Sequence, residues 1–146
     1  MWQKEYVVEA NTDKEKIWSL WTDVENWNKW NTGIEYSHLN GRFEKGAWGS
    51  FKTIVNMNPY YYLFQLSECV KNKLLTIKIR LSLGAMEIRH EMTEENDKLK
   101  IKQYIILYGP LTFIHKRTIG VRFANKGTQW FLLPVFASVP WRITTP

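Results

Sequence analysis

From residue 34 onward, apolar and polar positions alternate with a period of two, the signature of strands with one dry and one wet face. The alternation predicts strands at 34–41, 47–55, 60–69, 73–82, 84–94 and 98–108, with an earlier one at 2–10. Turn chemistry separates them: Gly41 to Gly46, Asn56-Met57-Asn58-Pro59, Lys71-Asn72, Gly84, and Glu95-Asn96-Asp97. Connections this short join antiparallel neighbours, because parallel ones need long crossovers. Seven antiparallel strands are expected. Leu75, Ile77, Ile79 and Leu81 share one face, opposite Leu74, Thr76, Lys78 and Arg80. Met86, Ile88, His90 and Met92 oppose Glu87, Arg89 and Glu91. Leu99, Ile101, Gln103, Ile105 and Leu107 oppose Lys98, Lys100 and Lys102. An apolar face running over three successive strands needs a cover.

Helical spacing occurs in two places. Thr12-Asp13-Lys14-Glu15 reads as a capping box in which the Thr12 hydroxyl accepts from the Glu15 amide. Ile17, Leu20, Trp21 and Val24 then form one stripe of a short helix, and Trp27-Asn28-Lys29-Trp30 a turn or second short helix. At the other end, Gly109-Pro110 stops the last strand and allows a helix to start. Leu111, Ile114, Thr118 and Val121 make one row, widened by Phe113, Ile119 and Phe123. His115, Lys116, Arg117 and Arg122 are expected on the outer surface of a helix reaching at least Lys126.

Composition adds one question. Eight Trp, seven Tyr and seven Phe in 146 residues either fill a bulky core or line a sizeable cavity. The length suits one domain, and no linker or repeat divides it. The formal net charge is +6, yet Asp97 is the last acidic residue. The basic remainder reads as solvated strand and helix surface, and no nucleic acid partner is expected. The single Cys69 forbids an internal disulfide and suits a reducing compartment. The first ten residues are short, mixed in charge and alternating, unlike a secretory signal. No run approaches the ~20 apolar residues that cross a bilayer. A cytoplasmic protein is expected.

Strand, two short helices, six-strand meander and long C-terminal helix: this order resembles the START-like helix-grip superfamily (SRPBCC), an α+β fold shared with the birch-pollen allergen group. The stretch Ile17-Trp18-Ser19-Leu20-Trp21-Thr22-Asp23-Val24-Glu25-Asn26-Trp27-Asn28-Lys29-Trp30, the strand Met86-Glu87-Ile88-Arg89-His90-Glu91-Met92 and the start Gly109-Pro110-Leu111 are similar to its polyketide cyclase/dehydrase-like branch. The match covers about residues 2–126, expected to be the ligand-binding domain. The resemblance implies a curved sheet around the long helix, an apolar cavity between them, and short helices closing one end. Candidate lining residues are Trp30, Phe51, Tyr62, Phe64, Ile79, Ile88, His90, Gln103, Ile105 and Ile114.

His90 stands on the dry face between Ile88 and Met92. It either meets a ligand, as hydrogen-bond donor or general acid–base, or is a core histidine satisfied by Gln103 or a backbone carbonyl. It is the only candidate for a catalytic residue. Gln103 can orient a ligand but cannot move a proton. Cys69 has nothing nearby in sequence to activate it, and His38, His90 and His115 lack metal-ligand spacing. No metal and no cofactor are expected.

Residues 127–146 depart from the family: Gly127 to Trp141 carries no charge, and Pro134 and Pro140 interrupt any helix. This tail is expected to cover the pocket, to join two copies as a homodimer, or to reflect an altered reading frame. The function expected is binding of a hydrophobic small molecule (lipid, isoprenoid or aromatic polyketide-like) as carrier or sensor. The alternatives are a cyclase/dehydratase-like enzyme using the same pocket and, more weakly, an RNA- or protein-interaction module.

Overall fold

In the computed structural model, residues 1–31, 33–55 and 58–117 are described. Strand β1 (Trp2–Ala10) is followed by helix α1 (Lys14–Thr22), a 3-10 turn (Val24–Asn26) and helix α2 (Trp27–Trp30). Six strands follow: β2 (Ile34–Leu39), β3 (Trp48–Val55), β4 (Asn58–Val70), β5 (Leu74–Leu81), β6 (Gly84–Glu95) and β7 (Lys98–Tyr108). Helix α3 (Thr112–His115) begins after them. All strands pair antiparallel in one sheet of order β1-β7-β6-β5-β4-β3-β2. Local alternation could not say which strand β1 would join. Its pairing with β7 is a long-range contact, aligning Val8 with Ile101 and Tyr6 with Gln103.

The boundaries follow turn chemistry. Asn96 and Asp97, at φ 51° and 60°, form the two-residue loop between β6 and β7. Hairpins this tight favour residues that tolerate the left-handed region. Pro59, expected in a turn, instead lies inside β4. Register shifts at Ile34/Tyr36 in β2 and at Leu66/Glu68 in β4 insert bulges, which bend and twist a sheet.

One expectation at the first helix is corrected. Asp13, not Thr12, caps α1, its carboxylate accepting from the Glu15 amide at 3.0 Å. An ionised carboxylate is the stronger acceptor at a helix N-terminus, where it also meets the positive end of the dipole. The hydrogen bond from Glu15 holds the Asp13 carboxyl below the usual aspartate range.

The core lies on one side of the sheet. Val8, Phe51, Phe64, Leu66, Leu75, Ile77, Ile79, Met86, Ile88, Ile101, Ile105 and Leu107 are all buried, as the alternation requires. Ile17 and Trp21 of α1, Val24 and Trp27 are buried with them. The opposite side carries polar pairs: Lys78 with Glu87 at 3.4 Å across β5 and β6, and Arg89 with Glu91 at 2.7 Å along β6. Thr76, expected on the wet face, is buried there, donating to Glu68 at 2.9 Å.

The chain leaves β7 through Gly109, at φ 108°. A side chain there would run into the Leu83 carbonyl and the Gly84 Cα, so glycine permits the crossing over the β5–β6 hairpin. His115 was expected on the outer surface. It is buried, and its Nε2 lies 2.9 Å from the Ser82 carbonyl oxygen. The hairpin thus anchors α3 by a polar contact, overriding the helical pattern read from the sequence. The expected helix to Lys126, the tail at 127–146 and any contact through it lie outside the described residues.

Candidate functional site

Alternation places every second side chain of β4 to β7 on the inner face, and antiparallel register lines them up in rows. One row runs Ile105, Ile88, Ile77, Leu66; another runs Leu107, Met86, Ile79, Phe64. Between such apolar rows lies a third, Gln103, His90 and Leu75, continued into β1 by Tyr6. Two polar side chains are therefore fixed, as direct cross-strand neighbours, in the middle of a dry layer.

His90 is fully buried. Burial drives its pKa from 6.5 down to about 3, against a smaller upward pull from hydrogen bonding with the Leu75 backbone. A charged imidazolium would be expensive in these surroundings, so the ring is neutral at physiological pH. The indole of Trp21 stands 5.1 Å from it, ring centre to ring centre. Trp21 was legible as part of the α1 stripe but not as a neighbour of His90; only the docking of α1 on β6 brings them together.

Gln103 is 1% exposed, and its Oε1 has no hydrogen-bond partner among the described residues. Buried amide oxygens are normally bonded. Leaving one desolvated and unmatched costs about 1–3 kcal/mol.

Phe51, Tyr62 and Phe64 form an aromatic group at the β3–β4 end. Phe51 lies 5.2 Å from Tyr62 and 5.9 Å from Phe64. Phe64 in turn stacks on Trp27 of α2 at 5.5 Å, and the Trp27 indole N–H donates to the Trp21 carbonyl at 3.1 Å. This pair of rings closes that end of the inner layer. A Cβ on Gly49, opposite Phe64, would strike the Phe64 ring and the His38 carbonyl, so the absent side chain makes room for the ring. The Ser37 hydroxyl donates to the Val24 carbonyl at 2.6 Å and ties β2 to the turn before α2.

The structure thus gathers most of the expected site residues into two adjoining groups, which meet where Phe64 pairs with Ile79. Ile79, Ile88, His90, Gln103 and Ile105 are buried together on β5 to β7, while Phe51, Tyr62 and Phe64 cluster on β3 and β4. Trp30 is half-buried at the end of α2, and Ile114 is 43% exposed on α3. A surface cleft of about 540 Å³ lies elsewhere, lined by Lys14, Glu15, Lys71, Asn72, Lys73 and Glu94 among others. Its charged lining makes it unlike an apolar binding site, and it includes none of the expected residues.

Among the described residues, no group of three or more His, Cys, Asp or Glu could hold a metal ion, and no helix is long and apolar enough to cross a membrane. Burial pushes the Cys69 thiol pKa up, away from the reactive thiolate.

No protein-family model matches the sequence, and neither does any curated protein. Solved structures do match in shape. Ara h 8.0201 superposes with a TM-score of 0.71 at 11% identity, covering 94% of this chain and 99% of that one. A protein of Chromobacterium violaceum gives 0.72 at 9% identity, covering 94% and 97%. A START superfamily protein from Mycobacterium smegmatis gives 0.60 at 14% identity, covering 89% and 98%. Identity this low speaks to fold alone, and on the fold the agreement is plain: the chain has the seven-stranded sheet architecture of START-like (SRPBCC) domains.

Proposed function

We propose that the protein binds a hydrophobic small molecule against the inner face of its sheet, as a carrier or sensor. The observation that carries this reading is the neutral polar pair His90 and Gln103, held in register within a continuous apolar layer. Ligand sites are mostly apolar with a few placed polar groups, and that is the composition of this face. Proteins of this fold are commonly ligand-binding. In this reading residues 1–126 form the binding domain of a cytoplasmic protein. Residues 127–146 are its tail, available for closure or for pairing two copies. Trp30, Phe51, Tyr62, Phe64, Ile79, Ile88, Ile105 and Ile114 supply apolar contact; His90 and Gln103 supply orientation.

A histidine held neutral well below physiological pH orients a guest better than it shuttles protons. That favours a carrier over a cyclase or dehydratase. Native mass spectrometry of the purified protein, with solvent extraction of anything bound, tests the proposal. A copurifying apolar compound, or uptake of added ones, is the expected result. A protein that binds no apolar compound, with an inner layer packed solid in a crystal structure, would overturn it.

A further inference from the structure

His90 and Gln103, the polar neighbours on the inner face of β6 and β7, differ in what they can offer. Gln103 presents an acceptor, its Oε1, shielded from solvent and without a partner among the described residues. A leucine or methionine would occupy similar volume on β7 without burying an unmatched oxygen, so glutamine here is a placed acceptor rather than packing. Along its strand it is flanked by Ile101 and Ile105, and across the pairing lie His90 and then Leu75. All four are buried, and none carries a charge under physiological conditions. A carboxylate, phosphate or ammonium group placed here would be desolvated with no counter-charge among the described residues, which is strongly unfavourable. A ligand lacking any donor would leave the amide oxygen unmatched.

Resting on the ligand-binding reading above, we propose that the guest is an uncharged, largely apolar alcohol or phenol whose hydroxyl donates to Gln103 Oε1 at the buried end of the site. The hydroxyl fits because it is small, neutral and able to donate in any direction around its C–O bond. The Trp21 ring, packed beside His90, supplies an apolar wall on the α1 side.

The test uses the full chain and matched probes: 2-naphthol, 2-methoxynaphthalene and 2-naphthoate, with 1-dodecanol, dodecyl methyl ether and dodecanoate as a second set. Affinities are read by titration calorimetry or tryptophan fluorescence. Within each set, the alcohol should bind about tenfold tighter than its methyl ether, and the carboxylate weakest. Gln103→Leu, with Gln103→Met as a second variant, should bring the alcohol to the level of the ether. The unliganded melting temperature should hold or rise, because no bond from Gln103 Oε1 to the described residues is lost. Equal binding of alcohol and ether, or a preference that survives Gln103→Leu, overturns the assignment of Gln103 while leaving the apolar site standing. A drop in the unliganded melting temperature shows that Oε1 is bonded within the protein and also overturns it. Failure of all six probes to bind the wild type removes the binding reading itself, and the hydroxyl assignment with it.

Discussion

Acidification should destabilise this protein through His90. In the folded state burial holds its pKa at about 3, against 6.5 for the free side chain. Between those values the unfolded chain binds a proton that the folded protein refuses, so stability rises with pH across the window and is lost as pH falls below about 6.5. The full shift corresponds to about 5 kcal/mol, reached only near pH 3 and below; by pH 5 the loss relative to pH 7.5 is about 2 kcal/mol. For a chain of this length that is roughly 4–8 °C in melting temperature. Among the described residues the Leu75 backbone hydrogen bond opposes the effect only weakly, and the side chains of Trp21, Leu75, Gln103, Ile88 and Met92 carry no charge that would stabilise an imidazolium. The assay is urea unfolding at pH 7.5 and pH 5.0 for the wild type and for His90→Leu. Other groups titrate in the same range, so the difference between the two proteins isolates His90. The variant should lose about 2 kcal/mol less on acidification than the wild type. Equal losses, or an imidazole NMR signal from His90 that titrates above pH 5, would show that water reaches the ring and that the inner layer is not dry.

Other substitutions test the frame around the site. Asp13→Ala should lower the melting temperature while Thr12→Ala leaves it almost unchanged, which separates the observed cap of α1 from the one the sequence suggested. Gly49→Ala should cost about 1–3 kcal/mol by displacing the Phe64 ring from Trp27, visible in near-ultraviolet circular dichroism; an unchanged spectrum would mean the ring does not depend on that space. Ser37→Ala, which removes one of two hydrogen bonds to the Val24 carbonyl and leaves the one from the Trp27 amide, should cost about 0.5–1.5 kcal/mol in denaturant unfolding.

Strands were the legible part of this sequence, and the reason is their period. In β5, β6 and β7 one face is dry and the other wet, so Leu75, Ile77, Ile88 and Ile101 announce both the element and its orientation. Asn96-Asp97 marked the β6–β7 hairpin because turn geometry selects such residues, whereas in the β5–β6 turn Leu83, not Gly84, takes the left-handed conformation at φ 55°. What stayed hidden depended on contacts distant in sequence. The pairing of β1 with β7 joins residues about a hundred positions apart, and the burial of His115 depends on the Ser82 carbonyl arriving from the β5–β6 hairpin. The site shows the same division. Parity placed His90 and Gln103 on the inner face; their being direct partners, and the approach of Trp21, needed the register between β6 and β7 and the docking of α1.

The position of that pair within the sheet bears on how the site would work. β6 and β7 are flanked on both sides by hydrogen-bonded strands, so the backbones carrying His90 and Gln103 have neighbours on each edge. An acceptor mounted there is held in a fixed direction before any guest arrives, and little ordering of the protein is needed on binding. A buried oxygen without a partner among the described residues also makes the empty state less stable than a purely apolar layer would be, by about 1–3 kcal/mol where no other group reaches it. A guest that donates to it removes that cost, whereas one of equal size and no donor does not. Selectivity for a hydroxyl would therefore appear as a larger thermal stabilisation by the alcohol than by its ether at equal occupancy, and a pair of ligands that stabilise equally would mean that the amide oxygen is already satisfied.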